Sequence, residues 1–112
     1  MKHEIKMHLY DIKTSIDSIF EFVGKERNFY DYQKNKLVRR AVEREIEIIG
    51  EATNRILKID PEFNLTNARQ IVDTRNWVIH NYDKVDDVII WGIISIHLPQ
   101  LKMDIDNYLA QI

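Results

Sequence analysis

The sequence predicts an all-α fold, an up-and-down bundle of four to five helices, and three observations carry the prediction. Turn-forming residues are scarce, with 3 glycines and 2 prolines in 112 residues, and no proline precedes Pro61. Apolar residues recur at steps of three and four over long stretches, which places them on one helical face. Hydrophobic residues at 45% and charged residues at 30% give an ordinary globular balance. The chain reads as a single domain over residues 1–112, able to bury about two-thirds of its unfolded surface. At this size, pairing with a second copy would add stability.

In the first stretch Ile5, Leu9, Ile12, Ile16, Ile19 and Val23 form one stripe, and Gly24 closes the helix. The second carries Val38, Val42, Ile49, Ala52, Ile56 and Ile59. It ends at Asp60-Pro61, because the residue before a proline avoids helical angles. Thr66 fits the N-cap of a third helix through Ala68, Ile71, Val72, Val78 and Ile79. Asp83 or Asp86 fits the cap of a fourth, apolar nearly all round from Val88 to Ile96. Its β-branched residues also suit a buried strand, but a lone strand would find no partner. As a helix it should be buried on more than one side, in the bundle centre or against another subunit. Pro99 kinks or restarts it, and Leu101, Ile105, Tyr108 and Leu109 continue it.

Composition excludes several classes. Without cysteine there is no disulfide scaffold, zinc ribbon or thiol nucleophile. A net charge of −2 excludes a coat of positive charge, so any nucleic-acid contact must rest on a local patch. The N-terminus lacks the apolar core of a signal peptide, and the longest apolar run is half the ~18 residues of a membrane span. A soluble cytoplasmic protein without membrane contact is expected. No histidine or acidic spacing suits a metal site, and without a glycine-rich phosphate loop the chain is not expected to be a nucleotidyltransferase or kinase itself.

One segment carries candidate chemistry, Thr74-Arg75-Asn76-Trp77-Val78-Ile79-His80-Asn81-Tyr82. Arg75 falls at the centre of the third helix's apolar stripe, where a charge must be paired or face a cavity. Asn76 and His80 are four apart and share a neighbouring face. Tyr82 returns to the face of Arg75 if the helix extends so far. The plain alternative is a buried arginine held by a carboxylate, with a histidine favouring the helix C-terminus.

Arg75-Asn76-x3-His80-x-Tyr82 resembles the signature of the HEPN superfamily, and of its HepT-like toxin branch in particular. Glu47-Ile48-Ile49-Gly50-Glu51-Ala52 is similar to that branch's E-I-I-G-E-A element. Trp91 with Leu98-Pro99-Gln100-Leu101 resembles its W…LPxL element, and Asn28-Phe29 its first helical connection. Asn81, where members often have Gly, and Glu43, where an apolar residue is common, depart from the pattern. The resemblance implies a homodimeric, metal-independent endoribonuclease with no cofactor, acting on RNA and not DNA. It further implies the toxin of a two-gene toxin–antitoxin system, with a minimal nucleotidyltransferase of the MntA type as antitoxin. That partner would silence the toxin by transferring AMP to Tyr82. The site would be composite, with Arg75, Asn76 and His80 of two protomers facing one cleft.

The chemistry of the residues is compatible with this. Cleaving RNA without a metal needs a base, an acid and cations that stabilise the phosphorane-like transition state. One imidazole serves as base or acid but not both at once, so two chains supply what one lacks. Arg75 suits bidentate contact with a phosphate, and Asn76 suits orienting His80 or binding a phosphate oxygen. Glu45 lies on the second helix's apolar stripe and is the geometric candidate to balance Arg75. Glu47 and Glu51 fall on the opposite face with Arg40, Arg44 and Arg55, where exposed pairs such as Glu51–Arg55 are the plain reading. The family element gives them a possible site role, and Gly50 between them costs about 1 kcal/mol in a helix interior relative to Ala. Close backbone approach is a reason to keep it.

Between Lys25 and Arg44 seven basic groups, among them Lys34, Lys36, Arg39 and Arg40, stand against three acidic ones. Phe29, Tyr30 and Tyr32 are interleaved with them, a combination that suits single-stranded RNA. The alternative is that the rings pack the connection and the charges are a solvated face. A competing function is a non-catalytic helical module in which Arg75 and His80 bind a nucleotide or a nucleotidyltransferase partner without cleavage.

Overall fold

A computed structural model describes residues 2–81 and 86–111, and for 77–81 the backbone alone. Six α-helices make up the described chain: α1 (His3–Val23), α2 (Phe29–Lys34), α3 (Lys36–Ile59), α4 (Thr66–Asn81), α5 (Asp87–Gly92) and α6 (Leu98–Ala110). A π-helical turn, Ile93–His97, joins α5 to α6, so residues 87–110 form one continuous rod.

The local signals act where their chemistry places them. Gly24 ends α1 with φ 77°, a left-handed angle that an L side chain resists, and its N–H donates to the Phe20 carbonyl. Asp60 stops α3 in an extended conformation ahead of Pro61. Asp86 caps the rod, its Oδ1 accepting from the N–H of Val88 at 2.9 Å and of Ile89 at 3.3 Å. Asp83, the other cap candidate, lies outside the described residues. Thr66 is the first residue of α4 rather than its cap, and its hydroxyl donates to Asn64 Oδ1 at 2.9 Å. The short α2 sits inside what reads in sequence as a plain connection. Asn28 caps it and Asn35 caps α3, each through a side-chain oxygen three residues ahead of the N–H it accepts from.

α1 packs along α3, α3 along α4, and the rod closes against α1 and α4. Lys13 Nζ meets Asp106 at 3.0 Å and Lys102 Nζ meets Asp17 at 2.9 Å, which sets α1 and the rod antiparallel. The core takes Leu9, Ile12, Ile16 and Ile19 from α1, and Val42, Ile46, Ile49 and Ile56 from α3. Ala68 and Ile71 of α4, and Ile90, Ile93, Ile94, Leu98, Leu101 and Ile105 of the rod, complete it. The middles of the stripes read from sequence are therefore buried, with Ile46 added; Val23, Val38, Ile59, Val72, Tyr108 and Leu109 are half-buried at their edges, and the side chains of Val78 and Ile79 lie outside the described residues. Burial of these side chains, each contributing roughly 1.5–3 kcal/mol, is the main favourable term.

The rod is less enclosed than its composition suggests. Val88, Ile96 and Met103 are 65%, 58% and 66% exposed, so within one chain it is covered on one side only. Averaged over 18 residues its hydropathy reaches 1.3, enough by length and composition to cross a membrane, although the uninterrupted apolar run is short. Its Ile and Leu residues at 90, 93, 94, 98, 101 and 105 nevertheless face the bundle core. Pro99 stands in the first turn of α6, so the α-helical segment restarts there after the π turn, as the sequence predicts. Proline lacks an N–H, and the widened turn before it carries an i→i−5 bond from Leu98 N–H to the Ile93 carbonyl.

Candidate functional site

The site grows from the crossing of α3 and α4. On α3 the stripe through Val42, Ile49 and Ile56 is committed to the core, and a second ridge at 47, 50, 51 and 54 runs beside it. The α4 ridge of Val72, Arg75 and Asn76 lies opposite. Together Glu47, Gly50, Glu51, Asn54, Val72, Arg75 and Asn76 line an open cleft of about 340 Å³.

Arg75 is paired, as a charge on that face must be, but by a different carboxylate from the one helical phase nominates. Its Nη2 donates to Glu47 Oε1 at 2.7 Å, and no ion pair joins it to Glu45 among the described residues. Helical phase gives an angle about the α3 axis, not the neighbour found there. The edge that phase assigns to solvent is the one on which α4 rests. Arg44 Nη1 lies 3.3 Å from the other Glu47 oxygen and 3.8 Å from Glu51 Oε1. Glu47 thus stands between two guanidinium groups with both oxygens engaged. Glu51 turns back toward Arg44, and the Glu51–Arg55 pair expected from spacing does not form among the described residues. Arg75 Nη1 also lies 3.4 Å from Asn76 Oδ1.

Arg75 is one-quarter exposed and Glu47 about two-fifths, at 25% and 42%. The guanidinium therefore rims the cleft, held by Glu47 at Nη2 and lying beside Asn76 at Nη1, with part of its surface reaching solvent. A Cβ built on Gly50 would lie 3.5 Å from Val72 Cγ2, an ordinary contact. Among the described residues packing does not demand a glycine there, which corrects the expectation of close backbone approach within the chain. His80 belongs to the last turn of α4. Its side chain and the whole of Tyr82 lie outside the described residues.

The basic connection divides. Phe29 and Tyr32 face inward on Trp91, with ring centroids 5.8 and 5.2 Å apart, so two of the three interleaved rings serve packing. Tyr30 is exposed, and the Lys34 ammonium lies 3.8 Å from its ring centroid. Arg39 Nη1 donates to the Gln33 carbonyl and its Nε lies 3.9 Å from Asp87. Arg40 sits 3.9 Å from Glu43 and is largely exposed, as is Lys36. Lys34, Lys36 and Arg40 therefore face solvent, whereas Arg39 ties α3 to the rod.

Glu43 shares that corner. Burial pushes its carboxyl above the ordinary value, Asp87 and Glu47 adding to the effect and Arg40 and Arg39 opposing it. Burial likewise raises the Tyr32 hydroxyl, with Asp87 and Glu43 adding to it. Among the described residues no three His, Asp or Glu side chains converge as a metal site would need.

Comparison with known proteins matches the family described as Ribonuclease HepT-like over residues 12–107. A Methanocaldococcus jannaschii protein provisionally named RNase MJ1380 is 34% identical over 107 residues, covering 94% of this chain and 96% of its own. A second from that organism, provisionally named RNase MJ0125, is 30% identical over 99% of this chain and 96% of its own. A Thermococcus cleftensis protein named probable ribonuclease HepT is 35% identical over 91% and 93%. No solved structure matches the chain.

Proposed function

This chain belongs to the HepT-like ribonuclease family, and from that premise we propose that it is an endoribonuclease that cuts RNA without a metal ion. The observation that carries the reading is Arg75 braced by Glu47 at the rim of an open cleft, with Asn76 beside it. A guanidinium braced by a carboxylate and still partly exposed at a cleft is suited to the developing charge of a phosphoryl transition state.

In the proposed reaction a histidine takes the 2′-hydroxyl proton as that oxygen attacks the adjacent phosphorus. The bond to the 5′-oxygen breaks, and an imidazolium protonates the leaving oxygen, giving a 2′,3′-cyclic phosphate and a 5′-hydroxyl. His80 of one protomer and His80 of the partner subunit fill the two roles, and Arg75 neutralises the phosphorane oxygens. The active form is therefore a homodimer. The exposed, charge-free stripe of Val88, Ile96 and Met103 supports this, because it begins just beyond the motif and offers apolar surface to a second copy.

The family setting extends the proposal to a cytoplasmic toxin, with an MntA-type nucleotidyltransferase as antitoxin and Tyr82 as the residue it modifies. A nucleotide there would add bulk and negative charge next to a cleft that must admit an RNA backbone. Purified protein should cut single-stranded RNA in EDTA, and His80→Ala and Arg75→Ala should each abolish cutting. Intact RNA with the wild-type protein would refute nuclease activity and favour a non-catalytic nucleotide-binding module. Intact mass after co-expression with such a nucleotidyltransferase should show whole AMP increments that Tyr82→Phe removes.

A further inference from the structure

Gly50 sits in the middle of a 24-residue helix, where glycine costs stability relative to alanine. The chain's own packing has room for a Cβ at that position. The space it leaves open is the floor of the cleft. Its walls are carboxylates, amides and a guanidinium rather than the apolar, charge-depleted surface of a protein interface core. The volume of about 340 Å³ falls at the small end of small-molecule sites.

We propose that this cleft receives a guanine base of the RNA strand, read by Glu51 and Asn54 while Arg75 holds a neighbouring phosphate. The inference rests on the ribonuclease reading and adds a base preference to it. Both Glu47 oxygens are occupied by arginines at 2.7 and 3.3 Å, so Glu47 serves the guanidinium. Glu51 is different: among the described residues its nearest cation is 3.8 Å away, too far for a hydrogen bond, and its side chain is 58% exposed. A carboxylate offers two acceptors and no donor. Among the four RNA bases only guanine presents two adjacent donors on its pairing edge, the N1–H and the N2 amino group. Asn54 stands one turn further along the same ridge, where its amide N–H would donate to guanine O6. The base would lie flat over Gly50 against the Val72 methyls, and a side chain at 50 would occupy that plane.

The test compares guanosine and inosine monophosphates, which differ by the N2 amino group, in equilibrium binding to wild type, Glu51→Gln and Gly50→Ala. Guanosine monophosphate should bind the wild type about tenfold more tightly than inosine monophosphate, since a site built for that donor is left unpaired without it. Glu51→Gln should erase the difference. Gly50→Ala should raise the melting temperature by about 4 °C while weakening guanosine monophosphate about tenfold or more. Equal binding of the two nucleotides, no binding of either, or undiminished binding by Gly50→Ala would each overturn the proposal. A Gly50→Ala variant altered only in self-association would overturn it too, and would make the cleft a contact between copies. Cleavage of RNA with guanine replaced by inosine separates the two readings. Cutting that ignores the replacement sinks the base preference alone, whereas nucleotide discrimination without any cutting sinks the nuclease alone.

Discussion

Exchanging Glu47 for glutamine preserves shape and removes the charge that braces Arg75. At about 4 Å between charge centres the attraction is roughly 4 kcal/mol for an effective dielectric constant near 20, and roughly 1 kcal/mol in water. Both partners reach solvent, at 42% and 25% exposure, which puts the net contribution to folding at about 1 kcal/mol or less. For a chain of 112 residues that corresponds to a fall of about 4 °C in melting temperature. Catalysis should respond more strongly. A misdirected guanidinium loses contact with charge that exists only in the transition state, and a lost donor of that kind costs about 10²–10³ in kcat. Glu47→Gln retains part of the alignment, so a drop of at least about tenfold in kcat/KM, carried by kcat, is expected. The assay is steady-state cleavage of a fluorogenic RNA beside a thermal melt of the same preparation. A Tm loss above about 10 °C with unchanged kcat/KM would refute the reasoning and make the pair a structural tie.

Ile96→Glu places a charge on a side chain that is 58% exposed in the monomer; light scattering should report a monomer in place of a dimer, with the Tm of the monomeric fold little changed. Unaltered mass would remove that face from the dimer interface. Burial holds the Glu43 carboxyl above its ordinary 4.5, so folding favours the protonated acid, and the stability this adds is lost as pH rises through the folded value. Glu43→Gln, which mimics the acid, should therefore melt above wild type at neutral pH, and the gap should close on acidification toward 4.5; a gap that widens in acid contradicts the assignment. Asp86→Ala removes the acceptor of two N–H groups at the start of the rod and should cost about 1 kcal/mol, read as a Tm decrease of about 4 °C.

Much of the bundle is legible in the sequence because its long helices obey one rule each. Ile5 to Ile19 and Val42 to Ile56 step by three and four, and all of those on the two stripes are buried in the core. Gly24, Pro61 and Asp86 mark ends through backbone geometry that does not depend on the rest of the fold. The site is legible only in its residues, not its contacts. Arg75, Glu47 and Glu51 stand out in sequence, yet whether Glu45 or Glu47 meets the guanidinium depends on where α4 crosses α3. A helical wheel carries no such information. The six residues of α2 are too few to show a period. Arg39 reads as a free cation until Asp87, forty-eight positions away in the chain, is found beside it. The exposed side of the rod follows the same logic, since an all-apolar helix shows no preferred face until its neighbours take one.

The widened turn at Ile93–His97 separates chain length from helical phase. A π turn holds one residue more than an α turn of the same span, so the exposed Ser95 is in effect a tolerated insertion. Deleting it would let the rod relax to a regular α-helix without rotating Leu98, Leu101 and Ile105 away from the other helices. The outward stripe would keep its bearing as well. Versions of this chain one residue shorter in that turn would present the same surfaces to solvent.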